Sequence, residues 1–306
     1  MSNTAFTLFS FAKINWTLHV LGRRADNYHD LRTIFQTITL HDTLSFAPAA
    51  ADQLHLRCNA PDVPTDERNL VLRAARALQQ EYNIKKGAIV SLDKSIPAMG
   101  GLGGGSSNAA IALLGFARLW QLSLPRTELI RLGASLGADV PFFFVGGTAL
   151  GTGLGTEVSP LPDVKTQHLL IVKPRAGVST AKAYKALDER ALTKGKSDTI
   201  LFSSRANDSF ADSLLEALHN DFEPVVFHLE PEIRRVRDSL MKAGARKALL
   251  SGSGASVYGV FDNERAQQRA LSKLKSEIDW QVFKCTTLGR EEYYGALGTC
   301  GALLRS

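Results

Sequence analysis

Residues 97–110 read PAMGGLGGGSSNAA. Five of the six positions from Gly100 to Gly105 are glycine, and two serines follow. Glycine loses more conformational freedom on folding than any other residue, so such a cluster is costly unless bare backbone is needed there. The stretch lies between a β-rich run, AIVSLDKSIP, and an apolar run, AAIALLGFARLW, so it belongs inside a folded unit and not in a linker. A strand–loop–helix junction brings uncovered N–H groups and the positive end of a helix dipole to one spot. That is an anion site, and phosphate is the anion it suits.

Better-known phosphate loops do not fit. GxxxxGK[ST] requires a lysine after the glycines, and Ser106 and Ser107 stand there instead. GxGxxG finds no register over residues 100–108 with glycine at all three positions. The loop is therefore of another kind. Lys94 precedes it closely and either reaches a phosphate or is a solvated charge at a strand end. Ser106 and Ser107 can donate to phosphate or hold Mg²⁺ through a hydroxyl. Ser106, Ser107 or Asn108 can equally serve as the N-cap of a helix over 109–120.

The glycine loop resembles the ATP-binding loop of the GHMP kinases, which include galactokinase, homoserine kinase and mevalonate kinase. Two further motifs of that family have counterparts here, an N-terminal strand with SFAKIN (10–15) and a C-terminal glycine turn with LSGSGAS (250–256). FAKIN, RRADNYHDLRTIFQTITLHD (23–42) and LGADVPFF (136–143) are most similar to the members that phosphorylate a cytidylyl-linked sugar alcohol in isoprenoid-precursor synthesis. The likeness runs in order from about residue 8 to 260 and is weakest over 188–230.

The resemblance implies an α+β chain of two domains, 1–161 and 162–306, with ATP and the acceptor meeting in the cleft between them. It implies transfer of the γ-phosphoryl group of ATP, with Mg²⁺, to a tertiary hydroxyl. Such a transfer rests on positioning and charge stabilisation. Asp139, between a helix and Pro141, then becomes the base for the hydroxyl proton. Lys13, unusual among the apolar neighbours Phe11, Ala12 and Ile14, becomes its partner. Its charge would keep the carboxylate ionised and stabilise developing negative charge. Asn15 shares a strand face with Lys13 and can fix the acceptor hydroxyl. Tyr28 and His29 follow a turn at 25–27, where an aromatic ring and an imidazole suit reading a base. By the resemblance they hold cytosine, and Tyr184 is a candidate second wall against the usual reading of a helical tyrosine as core. By the resemblance too, ATP lies on Pro97, Ala98, Met99, Gly100, Gly101, Leu102, Gly103, Gly104, Gly105, Ser106, Ser107 and Lys94, with Asn69 beside adenine. No metal ligand is assigned. A sister GHMP kinase acting on mevalonate or homoserine, or a non-catalytic nucleotide sensor, are the alternatives; the Tyr28–His29 pair speaks against the first and the Lys13–Asp139 pair against the second.

The elements that must position these residues follow from periodicity. Strands are expected over 5–20, 31–40, 42–48, 54–58 and 88–97, with a helix over 69–82 capped by Asn69. A helix over 125–136, a glycine-bent hairpin over 146–158 and a proline-bearing boundary at 160–165 close the first half. In the second half, strands are expected at 168–174, within 248–261 and at 280–287. Helices are expected from Ser179 and near 210–219, 231–243 and 263–277, and a mobile loop over 193–209. Mixed strands and helices in both halves read as α+β.

Composition narrows the class. The 306 residues are 44% hydrophobic and 22% charged, which is ordinary globular chain. No run approaches the ~20 apolar residues of a membrane span, so no membrane role is expected. The three cysteines, Cys58, Cys285 and Cys300, show neither CxxC spacing nor an even count, which fits a reducing cytoplasm. The net charge of +6 suits anionic small molecules, and the basic runs are too short and too free of aromatic interleaving for nucleic acid. A monomer or weak homodimer is expected.

Overall fold

The computed structural model describes residues 5–189 and 208–305. Its first part runs β1 (Phe6–Arg23), β2 (His29–Ala49), β3 (Leu54–Cys58), α1 (Leu70–Glu81), β4 (Gly87–Asp93), α2 (Gly104–Trp120), α3 (Arg126–Leu136), a 3₁₀ turn (Val140–Phe144), β5 (Thr148–Thr152) and β6 (Glu157–Pro160). The second runs β7 (His168–Pro174), α4 (Thr180–Glu189), α5 (Asp208–Glu216), β8 (His219–Asn220), α6 (Glu223–Leu229), α7 (Pro231–Lys242), β9 (Lys247–Leu250), β10 (Val257–Phe261), α8 (Glu264–Leu274), β11 (Trp280–Thr286), α9 (Arg290–Ala296) and α10 (Thr299–Ala302). The sequence expected two strands where β2 is continuous, and it did not foresee β8, α6, α9 or α10. These are two to seven residues long apart from β2, too short for a hydrophobic period to declare itself. Of the expected loop, 193–207 lies outside the described residues, and residues 208 and 209 open α5.

A long antiparallel hairpin of β1 and β2 is the spine of the first sheet, whose order is β3-β4-β2-β1-β8, with β5 also on β2 and β6 on β5. The second sheet is antiparallel, in the order β11-β7-β10-β9. Three register shifts interrupt the hairpin, between Phe11 and Lys13, Asn15 and Thr17, and Val20 and Gly22. Bulges re-aim side chains, and the first two bracket Lys13 and Asn15.

Among the described residues, three apolar clusters hold the molecule together. One packs α1, α2, α3 and the 3₁₀ turn on the first sheet. Helix α2 is its centre, with every side from Ser107 to Ala117 buried, as an all-round apolar helix requires. A second lies under α6, α7, α8 and the second sheet. The third joins the halves, bringing Ile14, Trp16, Ile96 and Leu102 against Ile171, Leu249, Tyr258 and Val260. The expected boundary after residue 161 falls in the coil between β6 and β7, yet the chain does not stay in the second half. Tyr293, Tyr294, Leu297, Cys300 and Leu304 return to the first cluster. The hydroxyls of Tyr293 and Tyr294 donate to the carbonyls of Phe143 (2.6 Å) and Val145 (2.8 Å).

Candidate active site

Lys13 is 3% exposed, and a buried ammonium needs its charge met. Its Nζ donates to Asn15 Oδ1 (2.8 Å), lies 3.3 Å from Asp139 Oδ2 and sits 5.5 Å from the centre of the Phe35 ring. The sequence separates lysine and carboxylate by 126 positions; the fold makes them an ion pair. Asp139 is the residue before the 3₁₀ turn and ends no hydrogen-bonded cap, so its carboxylate is left to Lys13 and about one third open to solvent. Both ends of the Asn15 carboxamide are engaged within the protein. Its Nδ2 donates to Thr33 Oγ1 (2.7 Å), which donates to Thr17 O (2.7 Å). Asn15 thus fixes Lys13, and Thr33 fixes Asn15.

The glycine loop lies across this pair. Leu102 O accepts the Lys13 backbone N–H (2.9 Å). Gly103 adopts φ +68°, and a Cβ there would lie 2.9 Å from Lys13 Cγ and 3.0 Å from Phe143 Cζ, so only glycine lets the lysine stem through. Helix α2 begins at Gly104, five residues before the sequence reading put it, with Gly103 in the cap position and no side-chain cap bond. Ser106, Ser107 and Asn108 are therefore helical and do not cap. The first-turn N–H groups are left for an anion.

The two serines part company. Ser106 is half-buried, with its Oγ 3.9 Å from where a Gly137 side chain would begin, on the side of the Asp139 turn. Ser107 is fully buried and accepts from Ser10 Oγ (2.7 Å), facing the core and not the cleft. Lys94 is neither solvated nor free. It is paired with Asp42, which is fully buried, and donates to Asn108 Oδ1 (3.3 Å). Asp42 also accepts from the backbone N–H of Ser95 and Ile96 (2.8 Å each) and from Asn108 Nδ2 (2.9 Å). This network props the loop from beneath, with the Lys94 ammonium 3.2 Å from the point where a Gly104 Cβ would stand. No sequence signal singled out Asp42 as its anchor.

The C-terminal glycine turn closes the loop's other side. Ser251 Oγ donates to Gly101 O (3.0 Å), and Ser256 N to Gly100 O (3.1 Å). Gly101 adopts φ +72°, and a Cβ there would lie 2.0 Å from Ser251 O. Asn69 caps α1, accepting from Val71 N (2.9 Å) and donating to Pro64 O (2.7 Å). Its neighbour Leu70 lies beside Gly105.

Tyr28 projects from the β1–β2 turn, 64% exposed. His29 is buried, shares a 2.6 Å hydrogen bond with Asp188 Oδ1, and stacks on Tyr184 at 5.0 Å between ring centres. Tyr184 therefore covers one face of His29, and no gap separates the two rings. Burial and the nearby Asp139 charge push the Tyr184 hydroxyl up to about 12, so it stays neutral and is a donor within the field of the carboxylate. Phe222 meets Tyr184 edge-on at 4.8 Å. One grouping with metal-ligand chemistry among the described residues, His19, His219 and Asp221, lies about 20 Å along β1 from Lys13. Its two imidazoles are stacked, with planes 13° apart, so their in-plane lone pairs run side by side and do not converge on one ion.

The glycine loop, the buried lysine with its carboxylate and the second glycine turn define a class. Residues 69–147 match the GHMP kinases N terminal domain and residues 201–279 the GHMP kinases C terminal domain. Solved structures agree in fold: homoserine kinase from Cytophaga hutchinsonii (17% identical, TM-score 0.71, 94% of this chain and 96% of that one) and Methanococcus jannaschii mevalonate kinase (18%, 0.68, 94% and 99%). A crystal structure of 4-(cytidine 5'-diphospho)-2C-methyl-D-erythritol kinase is 30% identical with TM-score 0.76, over 93% of this chain and all of that one. Curated relatives named 4-diphosphocytidyl-2-C-methyl-D-erythritol kinase are 36% identical in Bacillus cereus strain B4264 (92% of this chain, 96% of the relative) and 42% identical in Solibacter usitatus (90% and 87%). The chain belongs to the 4-diphosphocytidyl-2-C-methyl-D-erythritol kinase family of GHMP kinases.

Proposed function

We propose that this chain transfers the γ-phosphoryl group of ATP to the 2-hydroxyl of 4-diphosphocytidyl-2-C-methyl-D-erythritol. The observation that carries the reading is the Lys13–Asp139 ion pair, 3.3 Å apart, beneath an uncapped helix end lined by glycine. Asp139 takes the proton of the acceptor hydroxyl as the oxygen attacks. Lys13, held by Asn15 on one side, orients that carboxylate and meets the charge that develops on the oxygen. The first-turn N–H groups of α2 and the backbone of Pro97, Ala98, Met99, Gly100, Gly101, Leu102 and Gly103 lie against the phosphates. Ser106 fits a phosphate oxygen or Mg²⁺. Mg²⁺, when bound, neutralises phosphate charge in the transition state. Lys94 and Ser107 support the loop from the core side.

Tyr28 and His29 read the cytosine, with Tyr184 as the neighbouring wall. Because Tyr184 lies on His29, the base is expected to stack on the exposed Tyr28 beside that pair, or to part the two rings. The three unpaired thiols fit a cytoplasmic enzyme, and a monomer or weak homodimer acting on small molecules fits a cleft built from one chain. A coupled assay of ADP release with Mg-ATP and the cytidylyl substrate tests the reading. Turnover is expected; turnover with mevalonate or homoserine in its place, together with no binding of CDP by calorimetry, overturns it.

A further inference from the structure

His219 and Asn220 form a two-residue strand in parallel register with β1, Asn220 opposite Leu18. Asn220 is 3% exposed. A carboxamide offers two N–H donors and one acceptor oxygen. Nδ2 donates to Leu250 O (2.9 Å) and Gly252 O (2.8 Å), and Oδ1 accepts from Phe222 N (2.9 Å). The Leu250 N–H is held in turn by Glu223 Oε1 (2.9 Å).

The partners of this amide lead to two different groups of residues. Gly252 lies where an added Cβ would be 3.1 Å from Gly101 O and 3.5 Å from Lys13 Nζ, so the turn it belongs to touches both the glycine loop and the lysine. Phe222 supports Tyr184, which stacks on His29. We propose that Asn220 is a positioning residue that sets the glycine turn against the ATP side of the cleft through its two donors and the aromatic wall on the acceptor side through its acceptor. It touches neither substrate. Two donors in one rigid amide fix the spacing of the Leu250 and Gly252 carbonyls, and a shift of the turn of about 1 Å is enough to cost on the order of 10²-fold in rate. The inference rests on the reading of the glycine loop as the ATP site.

The roles of the two ends of the amide separate experimentally. Asn220→Asp keeps an acceptor for Phe222 N and replaces both donors with an oxygen that repels the carbonyls of Leu250 and Gly252. KM for ATP is expected to rise about tenfold and kcat to fall about 10²-fold, with KM for the cytidylyl acceptor changed by less than about twofold. Asn220→Ala removes both ends, and both KM values are expected to rise. Asn220→Ser, which keeps one donor and adds no charge, is read by the same criteria if the aspartate variant does not fold. Variants with lowered melting temperatures but wild-type KM and kcat well below those temperatures overturn the proposal, as does an equal rise of both KM values in Asn220→Asp. Absence of turnover in the unaltered enzyme counts against the proposed reaction and not against the role of Asn220, which is then read from ATP and CDP affinities in the same variants.

Discussion

Replacing Gly101 by alanine probes the contact between the two glycine segments with one methyl group. At φ +72° an alanine carries a left-handed penalty of about 1–2 kcal/mol. The new Cβ would start 2.0 Å from Ser251 O, a backbone atom that cannot swing aside, so loop and turn must part by at least about 1 Å. That strains the bonds from Ser251 Oγ to Gly101 O and from Ser256 N to Gly100 O, each worth about 0.5–1.5 kcal/mol net. The loss is then about 2–5 kcal/mol. A chain of 306 residues has an unfolding entropy near 0.6 kcal/mol/K, so the melting temperature should fall by roughly 3–8 °C. The catalytic effect should be larger than this implies, because the same displacement moves the phosphate cradle against Lys13; a fall of about 10²-fold in kcat/KM for ATP is expected at 25 °C, where the variant is still folded. Steady-state kinetics beside a thermal melt measures both. Gly22→Ala, at a site with nothing within 4 Å, is the control and should change neither. A Gly101→Ala enzyme with kcat/KM within about threefold of the parent would refute the argument that the two segments act as one cradle.

Asp139→Asn should retain ATP binding by calorimetry and lose about 10²–10⁴-fold in kcat, the usual worth of a positioned base. Tyr28→Ala should weaken CDP binding by about 1–3 kcal/mol, the stacking value for one base, with little change in KM for ATP. Lys94→Met strands the buried Asp42 carboxylate and should cost about 3–5 kcal/mol, read as a drop of roughly 5–8 °C in melting temperature. The His219 imidazolium is favoured by its hydrogen bond to Asp221, which raises its pKa, and by the charges of Asp221 and Glu223. Its contribution to stability is therefore complete below pH 6.5 and fades as pH rises through the raised value. The difference in melting temperature between the parent and His219→Gln should shrink from pH 6 to pH 8.5, and a constant difference would remove that pair from the account.

What could be read in advance divides by range. The glycine loop announces itself because its need for bare backbone is local, and Lys13 because a cation amid FAKIN is out of keeping with its neighbours. Helix α1 and its Asn69 cap follow from 3.6-residue spacing and a side chain two residues from its partner. The start of α2 is not local: three polar residues compete as caps in the sequence, while Gly103 ends the loop by taking φ +68° against Lys13 and Phe143, a constraint set by residues far away. The role of Lys94 is set at long range for the same reason. Its partner Asp42 stands 52 positions earlier, in a strand where an aspartate reads as an end signal. Asn220 sits in a polar run, HNDFE, that resembles a turn until β1 and Gly252 are placed on either side of it.

The order in which a ribosome releases this chain gives α9 and α10 a significance that a finished structure hides. The stretch up to Pro160 emerges before the second half and contains Lys13, the glycine loop and Asp139, but the turn carrying Asp139 still lacks the Tyr293 and Tyr294 hydroxyls that hold its carbonyls. Arg290 likewise gathers the carbonyls of Thr148 and Leu161 (2.6 and 3.1 Å) only after nearly all the second half has been made. The half translated first is thus completed last, and a nascent chain displaying every signature residue would still await its fastening.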